Sequence, residues 1–143
     1  MYEIDQNEGL FAVFAFLGAF AGIVIVLYSA LMILLIVSQW KIFSKAGQPG
    51  WACLIPFYNI YVYTKIIKRP GWWMLLYFLA IVPIIGLIAV IVIAVMDTQR
   101  LSKAFGKGIE YTIGLIFLGF IFYPLLAFGS AEYDASKLDT KEE

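Results

Sequence analysis

The stretch that decides the fold runs from Leu10 to Val37 and reads LFAVFAFLGAFAGIVIVLYSALMILLIV. It contains no charged residue, and a helix of about 20 apolar residues is enough to cross the hydrocarbon core of a bilayer. We therefore predict a long membrane-spanning helix over residues 10–38. The residues before it include Glu3, Asp5 and Glu8. Because a secretory signal peptide begins with basic residues, we interpret this helix as a retained anchor.

The composition of the whole chain agrees with lipid as its solvent. Of its 143 residues, 63% are hydrophobic and 14% are charged. A soluble domain has about 45–50% apolar and about 25% charged residues, and so small a globule could not bury the excess. The chain has no His and a single Cys, Cys53. We therefore predict no metal site, no cofactor and no internal disulfide.

Three more apolar segments follow, and we predict an all-α integral membrane protein. With residues 10–38 they make one membrane domain over residues 10–131, and they cover residues 51–67, 72–96 and 111–131. The first and last of the four segments are predicted to span the membrane. The middle two contain helix breakers, Pro56 in one and Pro83 with Gly86 in the other, because proline removes a helix hydrogen bond and clashes with the preceding turn. We expect these two to be broken or re-entrant.

Charge is arranged in three blocks along the chain. Residues 1–9 carry a net charge of −3, residues 132–143 also carry −3, and the eight bases and two acids between them give +6. The positive-inside rule places basic loops in the cytoplasm. We therefore predict a multi-pass protein of the bacterial inner membrane with both termini outside the cytoplasm. Residues 1–9 would form an acidic external N-terminus and residues 132–143 an acidic, mobile tail.

The eight bases form three clusters that could contact lipid headgroups or act only as topology signals. They are Lys41, Lys45, Lys65, Lys68, Arg69, Arg100, Lys103 and Lys107. An ordinary four-span arrangement would place the cluster around Lys68 outside the cell. Two re-entrant middle segments would place all three clusters inside, and we favour this second arrangement. It requires protein or water to shield the broken backbone, which favours a partner or an oligomer.

Two patterns inside the apolar segments are candidate sites. Gly18 and Gly22 form a GxxxG pair, which lets two helices approach closely, although glycine is also common in membrane helices generally. The second pattern is a broken-helix motif that consists of Pro56, Tyr58, Asn59, Pro83 and Gly86. Its freed backbone and its amide could line a polar path.

Several short motifs occur in order after residue 39. They are WKIF at 40–43, KAG at 45–47, PGW at 49–51, LIP at 54–56 with YN at 58–59, Pro70 with WW at 72–73, AFGK at 104–107, FYP at 122–124 and AFG at 127–129. Over about residues 40–133 they resemble an uncharacterised family of small bacterial and archaeal multi-pass membrane proteins. Its members are often labelled signal peptidase I or fused to that enzyme. Gly86 departs from the asparagine we expect there. The resemblance implies an architecture and no reaction.

The sequence does not place catalytic groups in a working arrangement, and we expect no enzyme. A Ser–Lys protease needs a Lys of lowered pKa and an oxyanion donor. Ser44 and Lys45 are adjacent in sequence, and helical neighbours do not face each other. Asp97 and Arg100 are three residues apart and can meet on one face of a helix. We interpret them as a solvated ion pair that contributes little to stability.

The resulting functional hypothesis is a non-enzymatic accessory subunit of a larger membrane complex for protein export or envelope biogenesis. Its expected partners are the lipid bilayer and either another membrane protein or further copies of the chain. Nucleic acid is not expected, because the bases are few and dispersed. The alternative is a small channel or carrier with a path at the broken helices. A membrane protease of the signal peptidase type is a more distant alternative.

Overall fold

The computed structural model describes residues 6–139, which form α-helices and 3₁₀ helices and contain no strand. The α-helices are α1 (Gln6–Lys45), α2 (Pro56–Ile66), α3 (Ile85–Ala104), α4 (Ile109–Phe117) and α5 (Gly119–Phe128). The 3₁₀ helices are Gly50–Leu54, Gly71–Ile81 and Ala135–Leu138. The all-helical prediction is confirmed for this part of the chain. Residues 1–5 of the predicted N-terminus and residues 140–143 of the predicted tail lie outside the described residues.

The chain divides into two compact units, one up to Leu34 and one from Leu35 onward. The described part of the first unit belongs entirely to α1, and every residue from Gln6 to Ala30 is exposed. The helix is long and apolar enough to cross a membrane. Gly18 and Gly22 have open space where a side chain would extend. Their role in helix packing therefore stays a prediction.

The second unit contains pairs of helices that fold back on themselves. The Gly50–Leu54 helix lies against α2, and the rings of Trp51 and Tyr58 stack with centroids 5.3 Å apart. The Gly71–Ile81 helix lies against α3 in the same way. In the third pair, α4 lies against α5, and the ring centroids of Tyr111 and Phe122 are 4.9 Å apart. The chain reverses within each pair, at Ile55, at residues 82–84 and at Leu118, and returns to the end where the pair began. We call these three reversals the far turns.

The structure places breaks where the sequence predicts them. Pro56 is the first residue of α2, a position at which the missing N–H has no helical partner to lose. Pro83 precedes Ile84, whose φ is 66° and ψ is −70°. The N–H of Ile85 donates to the carbonyl of Pro83 at 2.8 Å and closes a γ-turn around Ile84. Gly86 follows directly, and a side chain there would collide with the backbone carbonyl of Leu79.

The prediction that residues 111–131 form one spanning helix is wrong. The segment breaks at Leu118 into α4 and α5, which have 9 and 10 residues. At about 1.5 Å per residue, neither covers the ~30 Å of a hydrocarbon core. Gly114 lacks the side chain that would collide with the ring of Phe122. This space lets α5 fold back on α4, a contact that hydropathy does not reveal.

Three of these helices, α1, α2 and α3, end in the same backbone motif. The residue after the C-cap has positive φ, and these residues are Gly47, Lys68 and Gly106. The closing hydrogen bonds run from Gln48 N–H to Phe43 O (2.9 Å), from Arg69 N–H to Thr64 O (2.8 Å) and from Lys107 N–H to Ser102 O (2.9 Å). This geometry is a Schellman motif. The predicted basic clusters lie in and beside these turns, where the negative end of the helix dipole favours cations.

The buried core of the second unit lies at this same end. Its members from the last turns of the helices include Ile42, Ile66, Leu101 and Leu126. The C-termini of α1, α2, α3 and α5 therefore meet there, and the three basic clusters meet with them. We call this region the basic end.

Residues 131–139 also pack at the basic end. The hydroxyl of Tyr133 donates to the carbonyl of Ile66 at 2.6 Å, and the N–H of Asp134 donates to Ala104 at 2.8 Å. Burial raises the pKa of Tyr133, and hydrogen bonds from Ser136 lower the pKa of Asp134. The mobility predicted for the tail over residues 132–143 stays a prediction. The contacts bring the described part of the tail to the basic end, whereas the sequence predicted the tail and the basic clusters on opposite faces of the membrane.

Candidate functional site

Asp97 on α3 is a buried carboxylate whose side chain is 1% exposed. The hydroxyl of Tyr77 donates to its Oδ2 at 2.6 Å, and the indole N–H of Trp73 donates to the same oxygen at 3.1 Å. Nε of Arg69 lies 3.4 Å from Oδ1. The guanidinium carbon of Arg69 is also 4.2 Å from a ring centroid of Trp73. One cation and two neutral donors therefore compensate a charge that would be costly if buried alone.

The pairing of helices explains why these groups meet. Trp73 and Tyr77 lie on the Gly71–Ile81 helix, which packs along α3 and so faces Asp97. The Schellman turn at Lys68 reverses the chain after α2 and directs Arg69 toward the same carboxylate. The interpretation of Asp97 and Arg100 as a solvated pair is wrong. Arg100 instead donates to the carbonyls of Ile67 and Lys68 at 3.2 and 3.5 Å, at the end of α2.

A polar cavity of about 260 Å³ lies beside this cluster. Its polar lining residues are Gln39, Asn59, Tyr63, Tyr77, Thr98 and Tyr123. The amide nitrogen of Asn59 lies 3.4 Å from the side-chain oxygen of Gln39 and 3.3 Å from the carbonyl oxygen of Cys53. Tyr77 joins the two features, because it lines the cavity and donates to Asp97. This open cavity therefore presents amide and phenol groups at the surface of a largely apolar unit.

The broken-helix motif is divided by the structure. Asn59 lines the cavity, whereas Tyr58 stacks on Trp51, and Pro56 begins α2. Pro83 and Gly86 lie at the far turn between the Gly71–Ile81 helix and α3, away from the cavity lining. The two predicted breaks are real, but they do not form one path.

Three of the predicted bases lie outside the larger groove described below and contact other parts of the protein. Lys45 donates to the backbone carbonyls of Leu126, Gly129 and Ala131 at 2.9, 3.0 and 2.8 Å. It thereby satisfies acceptors at and after the end of α5. The ammonium of Lys41 lies 4.7 Å from the ring centroid of Phe128, and that of Lys65 lies 4.5 Å from Tyr61.

The other predicted bases line one open groove at the basic end. They are Lys68, Arg69, Arg100, Lys103 and Lys107, and Lys137 joins them. The groove has a volume of about 910 Å³. Asp139 also lines it and forms an ion pair with Lys68. We call this feature the basic groove.

Sequence reasoning missed Asp97, the tyrosines of the cavity and Lys137. One signal was present, since a buried Tyr hydroxyl normally needs a partner and Tyr63, Tyr77 and Tyr123 all fall in apolar segments. Their meeting point depends on how the helices pair, which the sequence does not state. Among residues 6–139, no group of three or more His, Cys, Asp or Glu side chains is placed to hold a metal ion.

Comparison with known proteins gave one match. The model of a family of unknown function (DUF5684) matches residues 51–136. This range includes Arg69, Asp97 and most of the residues that line the polar cavity and the basic groove. No curated protein and no solved structure matches the chain significantly.

Proposed function

Because the chain belongs to DUF5684, a family of unknown function, we propose a role from its own surfaces. It is a non-enzymatic subunit of a larger complex in the bacterial inner membrane, serving protein export or envelope biogenesis. The observation that carries this proposal is that the backbone of the helix pairs is broken at their far turns. The polar backbone groups at such turns need protein or water around them, and lipid tails offer neither.

Membrane insertion is the first step of the argument. Among the described residues, α1 and α3 are long and apolar enough to cross a membrane. The side chains of Phe11 and Phe16 on α1 are 77% and 71% exposed. Such a surface favours hydrocarbon over water, because removing apolar area from water lowers the free energy.

The depth of the far turns is the second step. The Gly71–Ile81 helix has 11 residues and reaches about 22 Å at ~2.0 Å per residue. The basic end includes the last turns of α3, with Leu101 and Ala104. With that end at the cytoplasmic surface, the turn between the Gly71–Ile81 helix and α3 lies inside the ~30 Å hydrocarbon core. Ile84 and Phe117, at two of the far turns, are 75% and 77% exposed. Broken backbone at that depth is tolerated only where protein or water covers it. A partner protein or another copy of the chain supplies that cover.

The basic end faces the cytoplasm in this proposal, as the positive-inside rule requires. The C-terminal segment through Asp139 then lies on the cytoplasmic side, because it packs against the basic end. The acidic N-terminus lies outside, because α1 crosses the bilayer.

Gentle purification from the native source tests the subunit role. We expect the tagged chain to bring a stoichiometric membrane companion, or to form a homo-oligomer, in a mild detergent. Ile84→Asn and Phe117→Asn place an amide at the far turns and should release that companion. Ile109→Asn is the matched control, because Ile109 is also exposed but begins α4 next to the basic end. Recovery of the unmodified chain as a free monomer would rule the proposal out.

The polar cavity favours a second candidate function, a small carrier or channel. Its amide and phenol groups can hydrogen-bond a small polar solute in a unit that is otherwise apolar. We expect Asn59→Leu to abolish the flux of small polar solutes through the protein. The substitution removes a cavity-lining amide that also contacts Gln39. Stopped-flow light scattering on proteoliposomes, with urea and glycerol as probes, measures this. Gln48→Leu removes an amide that does not line the cavity and serves as the control. Equal flux through Asn59→Leu and the unmodified protein would exclude this candidate.

A further inference from the structure

The two amide groups in the polar cavity have orientations that their neighbours fix. The side-chain nitrogen of Asn59 lies 3.3 Å from the carbonyl oxygen of Cys53, which can only accept a hydrogen bond. The same nitrogen donates to Oε1 of Gln39 at 3.4 Å and so orients the Gln39 amide in turn. These contacts leave Oδ1 of Asn59 as an acceptor and Nε2 of Gln39 as a donor for a ligand in the cavity.

Two hydroxyl groups of the cavity lining also have fixed roles. The hydroxyl of Tyr77 donates to Oδ2 of Asp97 at 2.6 Å, and the hydroxyl of Thr98 donates to the carbonyl of Ala94 at 2.7 Å. Because each hydroxyl has one proton, both oxygens can only accept from a further partner. The hydroxyl of Tyr123 can take either role. The cavity is therefore rich in acceptors and has one fixed donor.

The charge and size of the cavity restrict the ligand further. Among the described residues, no charged side chain lines the cavity. Asp97, which Tyr77 contacts, is itself paired with Arg69. An ionised ligand would lose hydration without meeting an opposite charge, which costs free energy. The volume of about 260 Å³ lies below the ~300 Å³ at which drug-sized sites begin, so the ligand is small as well as neutral.

From this pattern we propose that the polar cavity binds a small neutral molecule that carries a primary carboxamide group. The two N–H donors of a carboxamide suit the acceptors at Asn59, Tyr77 and Thr98. Its carbonyl oxygen can accept from Nε2 of Gln39. A carboxylate of the same shape has only acceptors, and an amidinium has only donors. This inference rests on the second candidate function and names its substrate class, but binding can be measured without transport.

Three compounds of nearly one shape test the ligand class, namely neutral benzamide, anionic benzoate and cationic benzamidinium. Saturation-transfer NMR measures their binding to the chain in a neutral maltoside detergent, with the signal from protein-free micelles subtracted. We expect benzamide to bind at least about tenfold more tightly than either ion, because an unpaired charge is costly to desolvate. Asn59→Leu should weaken benzamide binding about tenfold through the lost hydrogen bond. Gln48→Leu removes an amide outside the cavity and should change the affinity by less than about twofold.

Gln39→Glu provides a change of preference that a loss of structure could not produce. The variant keeps Oε1 opposite the Asn59 nitrogen and replaces the donor with an ionised acceptor. We expect benzamidinium to become its preferred ligand, because the cavity then offers a negative charge and no fixed donor. Thermal unfolding followed by tryptophan fluorescence establishes that each variant is folded.

Equal binding of the three compounds to the unmodified chain would overturn the carboxamide site. Unchanged benzamide binding in Asn59→Leu, or an unchanged preference in folded Gln39→Glu, would overturn it as well. Benzamide binding with the expected preference but without urea flux in proteoliposomes would remove the carrier role and leave the site in place. Urea flux without a preference for benzamide would keep the carrier role and reject the ligand class, so the two proposals fail separately.

Discussion

Asp97→Ala is expected to lower the free energy of unfolding by about 3–5 kcal/mol, the cost of removing one partner from a buried ion pair. The substitution leaves Arg69 without its carboxylate, with its side chain only 13% exposed. It also removes the acceptor of the Tyr77 hydroxyl and of the Trp73 indole. Thermal unfolding in detergent micelles, followed by tryptophan fluorescence, measures the loss.

Two further variants separate this effect from a general loss of negative charge. Asp97→Asn keeps an acceptor of nearly the same shape, so we expect roughly half of the loss. Asp139→Ala removes a carboxylate from the exposed ion pair with Lys68, and such a pair contributes no more than about 1 kcal/mol. If Asp97→Ala lowers the free energy of unfolding no more than Asp139→Ala does, the buried pair of Asp97 and Arg69 does not stabilise the fold as described.

Gly86→Ala is expected to destabilise the far turn by about 2–3 kcal/mol, at the upper end of the cost of overpacking. The methyl group would collide with the backbone carbonyl of Leu79, which cannot move without disturbing the turn at Pro83 and Ile84. The same micelle unfolding measurement applies.

The other glycines provide graded controls for this substitution. Gly114→Ala meets the side chain of Phe122, which can shift, so we expect a smaller loss. Gly18→Ala meets nothing within 4 Å and replaces glycine in a helix interior, so it should be neutral or slightly stabilising in isolation. A neutral Gly86→Ala would show that the far turn does not have the described geometry.

Local chemistry explains which parts of the fold could be predicted. Proline disrupts a helix by its own geometry, so the breaks at Pro56 and Pro83 follow from the sequence. The two glycines of positive φ, Gly47 and Gly106, end helices for the same kind of reason. The gathering of the bases at one end also follows, once the middle segments are taken to turn back.

Contacts between distant residues explain what could not be predicted. The fold of α4 onto α5 depends on the space that Gly114 leaves for Phe122. Asp97 meets Arg69 and Tyr77 only because the Gly71–Ile81 helix packs along α3. Tyr133 attaches the C-terminal segment through a hydrogen bond to Ile66, 67 residues earlier in the chain. Hydropathy and charge patterns hold no information about such pairs.

Sided cysteine labelling tests most directly the proposal that all helix pairs open at one basic end and that this end faces the cytoplasm. With Cys53 replaced by serine, Lys68→Cys and Lys137→Cys provide single reporters on two elements of that end. A membrane-impermeant maleimide should react with both in inside-out vesicles and with neither in intact spheroplasts. Reaction at residue 68 from the external side would restore the four-span arrangement and contradict the account given above.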